Sequence, residues 1–316
     1  MVSALPRYLL YLLRIRRVEF RIAEIPILLI PIFLLVSESA VFKTFAFWEG
    51  IFIFFLLFAF GDMINCLADR DLDVVYKPHL SEAVYGLGVP FVTFQVAASA
   101  VLALVLSVHL SLTLNHWLIL LLVVVGLILG AAYSLKPAQL KGRGVLQLIC
   151  LWLIIFVGPM LFVALLVSAA FSIEIIVFAA AFGTLQMGII LVNTAEDYPE
   201  DLAAGIKTII VTLGLQKGIK LAFWLVIIGA IVSLAALGIM FWQRNVKFGM
   251  ISLLPAIIAC GYVIKSVWKL NLLIAGAELA ESIQTVKQHA KKVPLWITIS
   301  AWTVLIATFS LFHFSR

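Results

Sequence analysis

The chain has 316 residues, 64% of them hydrophobic and only 12% charged, whereas a soluble domain carries about 25% charged residues. With a mean hydropathy of +1.18, this composition excludes a soluble globular fold and implies an all-α, polytopic membrane protein. The net charge of +6 then concerns topology and anionic lipid headgroups rather than nucleic acid.

The opening MVSALPRYLLYLLRIRR puts its charges after a short apolar stretch and has no small-residue cleavage site, so no cleavable signal peptide is expected. From Arg7 to Arg21 the pattern predicts an amphipathic segment lying in the membrane interface. A spanning helix needs about 20 mostly apolar residues. Nine segments qualify, near 22–40, 46–66, 89–113, 116–134, 145–168, 172–193, 219–241, 247–265 and 294–313. Pro26, Pro31, Pro159 and Pro255 fall inside them, which membrane helices tolerate when neighbours satisfy the freed carbonyls. Cys66, Cys150 and Cys260 are isolated, without zinc spacing or a disulfide framework, and read as small buried hydrophobes.

Charge sets the orientation. With the N-terminus cytoplasmic, all of the 22 Lys and Arg residues except Lys43, Arg244, Lys247 and Arg316 fall inside. The C-terminus is then outside, as expected of a multi-pass protein of the cell (inner) membrane.

Two polar motifs stand at the cytoplasmic ends of spans two and six. GDMINCLADRDLDVVYKP holds Asn65, Asp69 and Asp73, and LVNTAEDYPEDLAAGIKT holds Asn193, Asp197 and Asp201. The spacing N-x3-D-x3-D recurs 128 positions on (193 against 65, 197 against 69, 201 against 73). On one helix, residues four apart share a face about 5–6 Å apart, so each motif predicts a column of oxygens. Four spans lie between the motifs, which makes the two helices parallel and suggests an internal repeat. A single D-x3-D is more often a solvated helix end, but identical repetition at equivalent places favours a function. Gathered carboxylates repel and need a cation. Carboxylate and amide oxygens without His or thiolate suit magnesium, which leaves positions for water or substrate phosphate.

Basic residues flank both motifs. Lys77 follows the first and Lys207 the second; Lys136, Lys141 and Arg143 occupy the loop between, and Arg17 and Arg21 precede span one. Lys265, Lys269, Lys287, Lys291 and Lys292 read as positive-inside anchors; for Lys141 and Lys207 a phosphate role and an anchoring role both stay open. Neither a G-x-x-x-x-G-K-[ST] loop nor a G-x-G-x-x-G fingerprint supports nucleotide binding. Asp62 and Glu24 lie within spans, where an acidic group is either functional or satisfied by a neighbouring helix.

Taken together, NCLADRDLDVVYKP, AAYSLKPAQLKGRG and NTAEDYPEDLAAGIKTIIVTLG resemble the three motifs of the UbiA superfamily of intramembrane prenyltransferases, in the right order and over nearly the whole chain. The resemblance implies one domain over 1–316, with nine transmembrane helices around a central cavity and a cytoplasmic cap. It implies Mg2+-dependent transfer of an isoprenyl group from a prenyl diphosphate to a hydrophobic or aromatic acceptor, among membrane lipids. Carried over, Asn65, Asp69, Asp73, Asp197 and Asp201 become the metal and diphosphate residues, the four aspartates being the catalytic ones. Asn65, Tyr133, Lys141, Asn193 and Lys207 become substrate contacts, with Ser134 and Thr208 matching the middle loop and the tail of the second motif; Arg17 and Lys77 join them from the placement of the basic residues. Cys66, Leu80 and Lys136 depart from the usual aspartate, arginine and proline. A terpene cyclase of the same superfamily needs the same ionising residues, so that alternative stays open. A cation-coupled transporter with a parallel repeat is the remote one, since transporter carboxylates sit near the midplane.

Overall fold

The computed structural model describes residues 4–36 and 39–315. Ser37 and Glu38, within the first expected span, and Arg316, expected outside, lie beyond the described residues. Helix α1 (Ala4–Ile15) is amphipathic, with Tyr11 and Ile15 buried and Leu9 and Leu13 exposed. The chain turns at Arg17, whose φ of 44° is left-handed, into α2 (Arg21–Leu35). Thr44 accepts a hydrogen bond from the Phe47 N–H (3.3 Å) and so caps α3 (Phe45–Asp69). Two short helices follow, α4 (Asp73–Tyr76) and α5 (Pro78–Leu87), then the long α6 (Val89–Thr113) and α7 (Leu118–Ser134).

The next span is built in three pieces, α8 (Val145–Leu151), a π turn (Trp152–Val157) and α9 (Gly158–Val167). Pro159 has no N–H to donate, and the wider turn accommodates that loss just before it. A Cβ at Gly158 would lie 2.8 Å from the Leu153 carbonyl oxygen, so glycine is required where the turn closes. Ser172 accepts from the Ile175 N–H (3.3 Å) and caps α10 (Ile173–Glu196). The remaining helices are α11 (Tyr198–Ala203), α12 (Ile209–Leu213), α13 (Leu215–Gln243), α14 (Leu253–Ile274), α15 (Leu279–Ala290) and α16 (Val293–Phe314). Two short strands, β1 (Arg143–Gly144) and β2 (Lys207–Thr208), pair in parallel.

Among the described residues, all nine expected apolar segments contain helix, and seven are long and apolar enough to cross a membrane. The other two are shorter: α7 has 17 residues and α2 has 15. Helix α2 ends at Leu35, short of the expected boundary, just before the polar Ser-Glu-Ser.

Contacts divide the chain into two compact units, Met1–Arg21 with Glu38–Leu140 and Ile22–Ser37 with Lys141–Arg316. In the first, α3 packs against α6 and α7, and α1 lies on α5. The Tyr11 ring occupies the space a side chain at Gly86 would need, with a Cβ there only 2.3 Å from the ring. Helix α2 belongs to the second unit, where the Trp302 indole donates to the Ile22 carbonyl (3.0 Å) and Arg244 to that of Leu34 (2.5 Å). The tightest pairing there is α10 on α13, in a core that includes Leu185, Ile189, Ile219, Val226 and Trp296.

In hydrocarbon, helix association depends on close packing of small residues rather than on expulsion of water. At Gly229 the approach is backbone to backbone: a Cβ would fall 2.1 Å from the Leu185 nitrogen. Gly229→Ala is therefore expected to destabilise the protein by about 1–3 kcal/mol through overpacking. Thermal unfolding in detergent checks this, and an unchanged midpoint would contradict so close an approach.

Candidate active site

The first motif begins on α3 and does not stay on it. Asn65 and Asp69 share the last turn, but the helix ends at Asp69 and Asp73 opens α4. The expected unbroken column is thus corrected to a helix end followed by a new helix start. The helix dipole favours Asp73 in the first turn of α4 and opposes Asp69 at the end of α3. Backbone angles through the join remain near-helical, with Arg70 at φ −49°, ψ −37° and Leu72 at φ −71°, ψ −41°. The Asn65 amide donates to Asp69 Oδ2 (3.2 Å) and to Ser134 Oγ (3.5 Å), which ties the end of α7 to the motif. Asp73 is buried and its carbonyl accepts from the Lys77 N–H (2.9 Å). Asp71 points elsewhere. It is exposed and accepts from the Tyr85 hydroxyl, and that bond raises the Tyr85 pKa. Leu80 is buried.

The N-terminal arginines divide their work. Arg21 forms an ion pair with Asp62 (2.9 Å) and donates to the Arg16 carbonyl (2.6 Å), so Asp62 is satisfied from across the fold. Arg16 donates to Gln95, and burial, then the nearby Arg21, lowers its pKa. Arg17 stacks over Phe20 (4.7 Å) with Glu19 Oε1 at 3.9 Å. Glu82 on α5 receives the Tyr11 hydroxyl (2.8 Å), Arg7 (3.3 Å) and Arg14 (3.6 Å). The Tyr11 bond above all, with help from Arg7 and Arg14, holds the Glu82 carboxyl below the usual range.

The second motif repeats the construction. Asn193 is exposed near the end of α10, Asp197 caps that helix, and Asp201 lies in the first turn of α11. The Asp201 N–H donates to the Asp197 carbonyl (2.8 Å), and the Ile206 N–H to that of Asp201 (2.8 Å). After each motif a left-handed glycine opens the next long helix, Gly88 at φ 89° before α6 and Gly214 at φ 80° before α13.

The cations near the second motif are arranged by β1 and β2, whose parallel register sets Arg143 opposite Lys207 and Gly144 opposite Thr208. Gly144 has φ 54°, and a Cβ there would meet Thr212 Oγ1 at 3.3 Å. The buried Gln147 accepts from the Ile209 N–H (2.9 Å), and Thr208 caps α12 by accepting from the Val211 N–H (3.3 Å). Thr208 therefore shapes the backbone, while Lys207 is exposed and Lys141 is buried on the turn Leu140–Gly142. The register thus brings two exposed cations, Arg143 and Lys207, side by side. Tyr133 is half-buried at the end of α7 in the first unit, and Lys136 is exposed.

Sequence reasoning missed a further contact: Lys287 Nζ on α15 lies 2.9 Å from Glu200 Oε1 on α11. Lys287 reads from the sequence as a membrane anchor, and with the two residues 87 positions apart no local pattern links them.

Among the described residues, no three His, Cys, Asp or Glu side chains form a ready metal cage. Magnesium does not require one, because it binds through one or two carboxylates and keeps waters and substrate phosphates. Each motif supplies two aspartates and an asparagine, all hard oxygen donors, so this donor set fits.

A family model and solved structures both resemble the chain, the first in sequence and the second in fold. The model of the UbiA prenyltransferase family matches residues 25–275. No curated protein sequence matches the chain. A UbiA homolog from Archaeoglobus fulgidus, solved bound to GPP and Mg2+, is similar in fold at 19% identity and a TM-score of 0.61, covering 93% of this chain and 99% of that one. The same homolog bound to DMAPP and Mg2+ gives 19% identity and a TM-score of 0.60, with 93% and 98% covered. A structure concerned with digeranylgeranylglyceryl phosphate synthase in membranes has 18% identity and a TM-score of 0.64, with 96% and 99% covered. The protein is integral to the membrane and multi-pass. From its matched span of residues, the chain belongs to the UbiA prenyltransferase family.

Proposed function

We propose that the protein transfers an isoprenyl group from a prenyl diphosphate to an aromatic or lipid-like acceptor within the membrane. The observation that carries this reading is the strand pair that sets Arg143 beside Lys207 next to the second carboxylate motif. Support also comes from the family and from the diphosphates and Mg2+ bound by its solved relatives.

Asn65, Asp69, Asp73, Asp197 and Asp201 are the residues to hold magnesium. When bound, the metal neutralises charge on a leaving diphosphate. Lys141, Lys207, Lys77 and Arg17 place cations toward the diphosphate oxygens, and Asn193 and Tyr133 orient it by hydrogen bonds. Fixed charges aimed where negative charge develops lower the barrier without reorganising. The allylic cation left behind requires a dry setting, consistent with a site at the end of apolar helices. In this reading nine helices span the membrane around a central cavity, with the N-terminus, the cap and the site on the cytoplasmic side.

The test is purified protein with labelled geranylgeranyl diphosphate, with and without aromatic and lipid-like acceptors. Prenylated acceptor, formed only when an acceptor is present, is the expected result. Hydrocarbon formed without acceptor would instead establish a cyclase, and an unconsumed diphosphate would overturn both. Sidedness is checked by Ala204→Cys in a variant lacking Cys66, Cys150 and Cys260. An impermeant maleimide should label it only in inside-out vesicles.

A further inference from the structure

Helix α11 has six residues, too few to be stable alone; Asp197 precedes it and Asp201 lies in its first turn. What orients it must come from outside. Tyr198 packs against the core of the second unit, and Glu200 reaches Lys287 on α15. Helix α15 is firmly seated, with Ser282, Val286 and Ala290 all buried, so the position of Lys287 is set by its neighbour Val286. The ion pair is partly shielded, the Glu200 side chain being 26% exposed and that of Lys287 37%. Glu200 Oε2 is buried with no hydrogen-bond partner among the described residues. Lys287 is thus the donor on which this carboxylate depends, and removing it leaves a half-buried charge unmatched.

We propose that Lys287 is a positioning residue for the second carboxylate motif: by holding Glu200 it fixes α11 and so sets where Asp201 stands relative to Asp197. This rests on the reading that Asp197 and Asp201 hold magnesium. Partners that orient metal ligands from outside the coordination sphere strongly affect metal affinity. A plain surface ion pair would instead alter only stability, and slightly.

The experiment uses the full-length protein in detergent, comparing Lys287→Met, Lys287→Arg and the exchange Glu200→Lys with Lys287→Glu. Two quantities are read: amide hydrogen exchange over residues 198–208 without metal, and the magnesium concentration giving half-maximal diphosphate turnover. Lys287→Met should speed exchange over 198–208 and raise the half-saturating magnesium by about three- to tenfold, the lower end of such outer-shell effects. Its kcat at saturating magnesium should stay within about twofold, because no reacting group has changed. Lys287→Arg should behave as the parent, and the charge exchange should recover most of the loss.

An unchanged magnesium requirement in folded Lys287→Met overturns the proposal, as does a loss of kcat with no shift in that requirement. If Lys287→Met does not fold, the charge exchange decides, and its failure to restore parental exchange and magnesium dependence overturns the proposal. Asp201→Ala separates the two readings. Should it leave magnesium dependence intact, the metal assignment fails, even where exchange over 198–208 still responds to Lys287→Met.

Discussion

Asp69→Ala, Asp73→Ala, Asp197→Ala and Asp201→Ala are each expected to lower turnover by at least about 10²-fold, the scale seen when one preorganised electrostatic group is removed. A carboxylate that holds a metal contributes to the chemistry more than to packing. Asp69, Asp197 and Asp201 are half-buried, so their removal should leave thermal stability nearly unchanged. Asp73 is more enclosed and sits at the start of α4, so its variant carries some structural cost as well. Comparing turnover with the unfolding midpoint in each variant separates the two effects. Near-normal rates in any two of the four would dismantle the assignment. Asp71→Ala is the internal control. Its carboxylate is exposed and engages Tyr85 and Arg70, away from Asn65 and Asp69. That variant should keep most activity while the Tyr85 hydroxyl returns toward its ordinary pKa, since the lost hydrogen bond is the largest cause of its rise.

Removing divalent metal should have the other large effect. Exhaustive chelation is expected to abolish diphosphate consumption, and magnesium or manganese to restore it. Calcium should restore little, because it prefers six to eight oxygen ligands at about 2.3–2.6 Å, whereas magnesium needs a compact octahedron at about 2.0–2.1 Å. Two aspartates and an asparagine per motif offer few ligands and suit the smaller ion with phosphate completing its sphere. A direct measure avoids dependence on activity: magnesium should raise the unfolding temperature of the parent protein, and Asp69→Ala and Asp201→Ala should each reduce that increase. Full turnover after chelation would remove magnesium from the mechanism.

Much of the architecture is local, and local patterns are what a sequence displays. Runs of apolar residues must satisfy their own backbone groups in lipid, which only helix or a closed barrel achieves. All nine such runs accordingly contain helix. The two N-x3-D-x3-D motifs were visible for the same reason, as short-range spacings at the ends of those runs. Other features depended on contacts between distant residues. No pattern in α2 shows that it joins the second unit through Trp302 and Arg244. Hydropathy says that a helix is buried in lipid or protein, not which helix it meets. Nor did spacing show that β1 and β2 would set Arg143 against Lys207, that Asp62 would find Arg21, or that Lys287 would hold Glu200. The break between Asp69 and Asp73 was missed on different grounds. A face drawn at helical spacing assumes one continuous helix, whereas α3 ends at Asp69 and α4 begins at Asp73. Composition and periodicity therefore determined the helices, the membrane and the chemical character of both motifs. Tertiary packing alone decided which side chains those motifs lean on, because ion pairs and strand register join residues that share no local pattern.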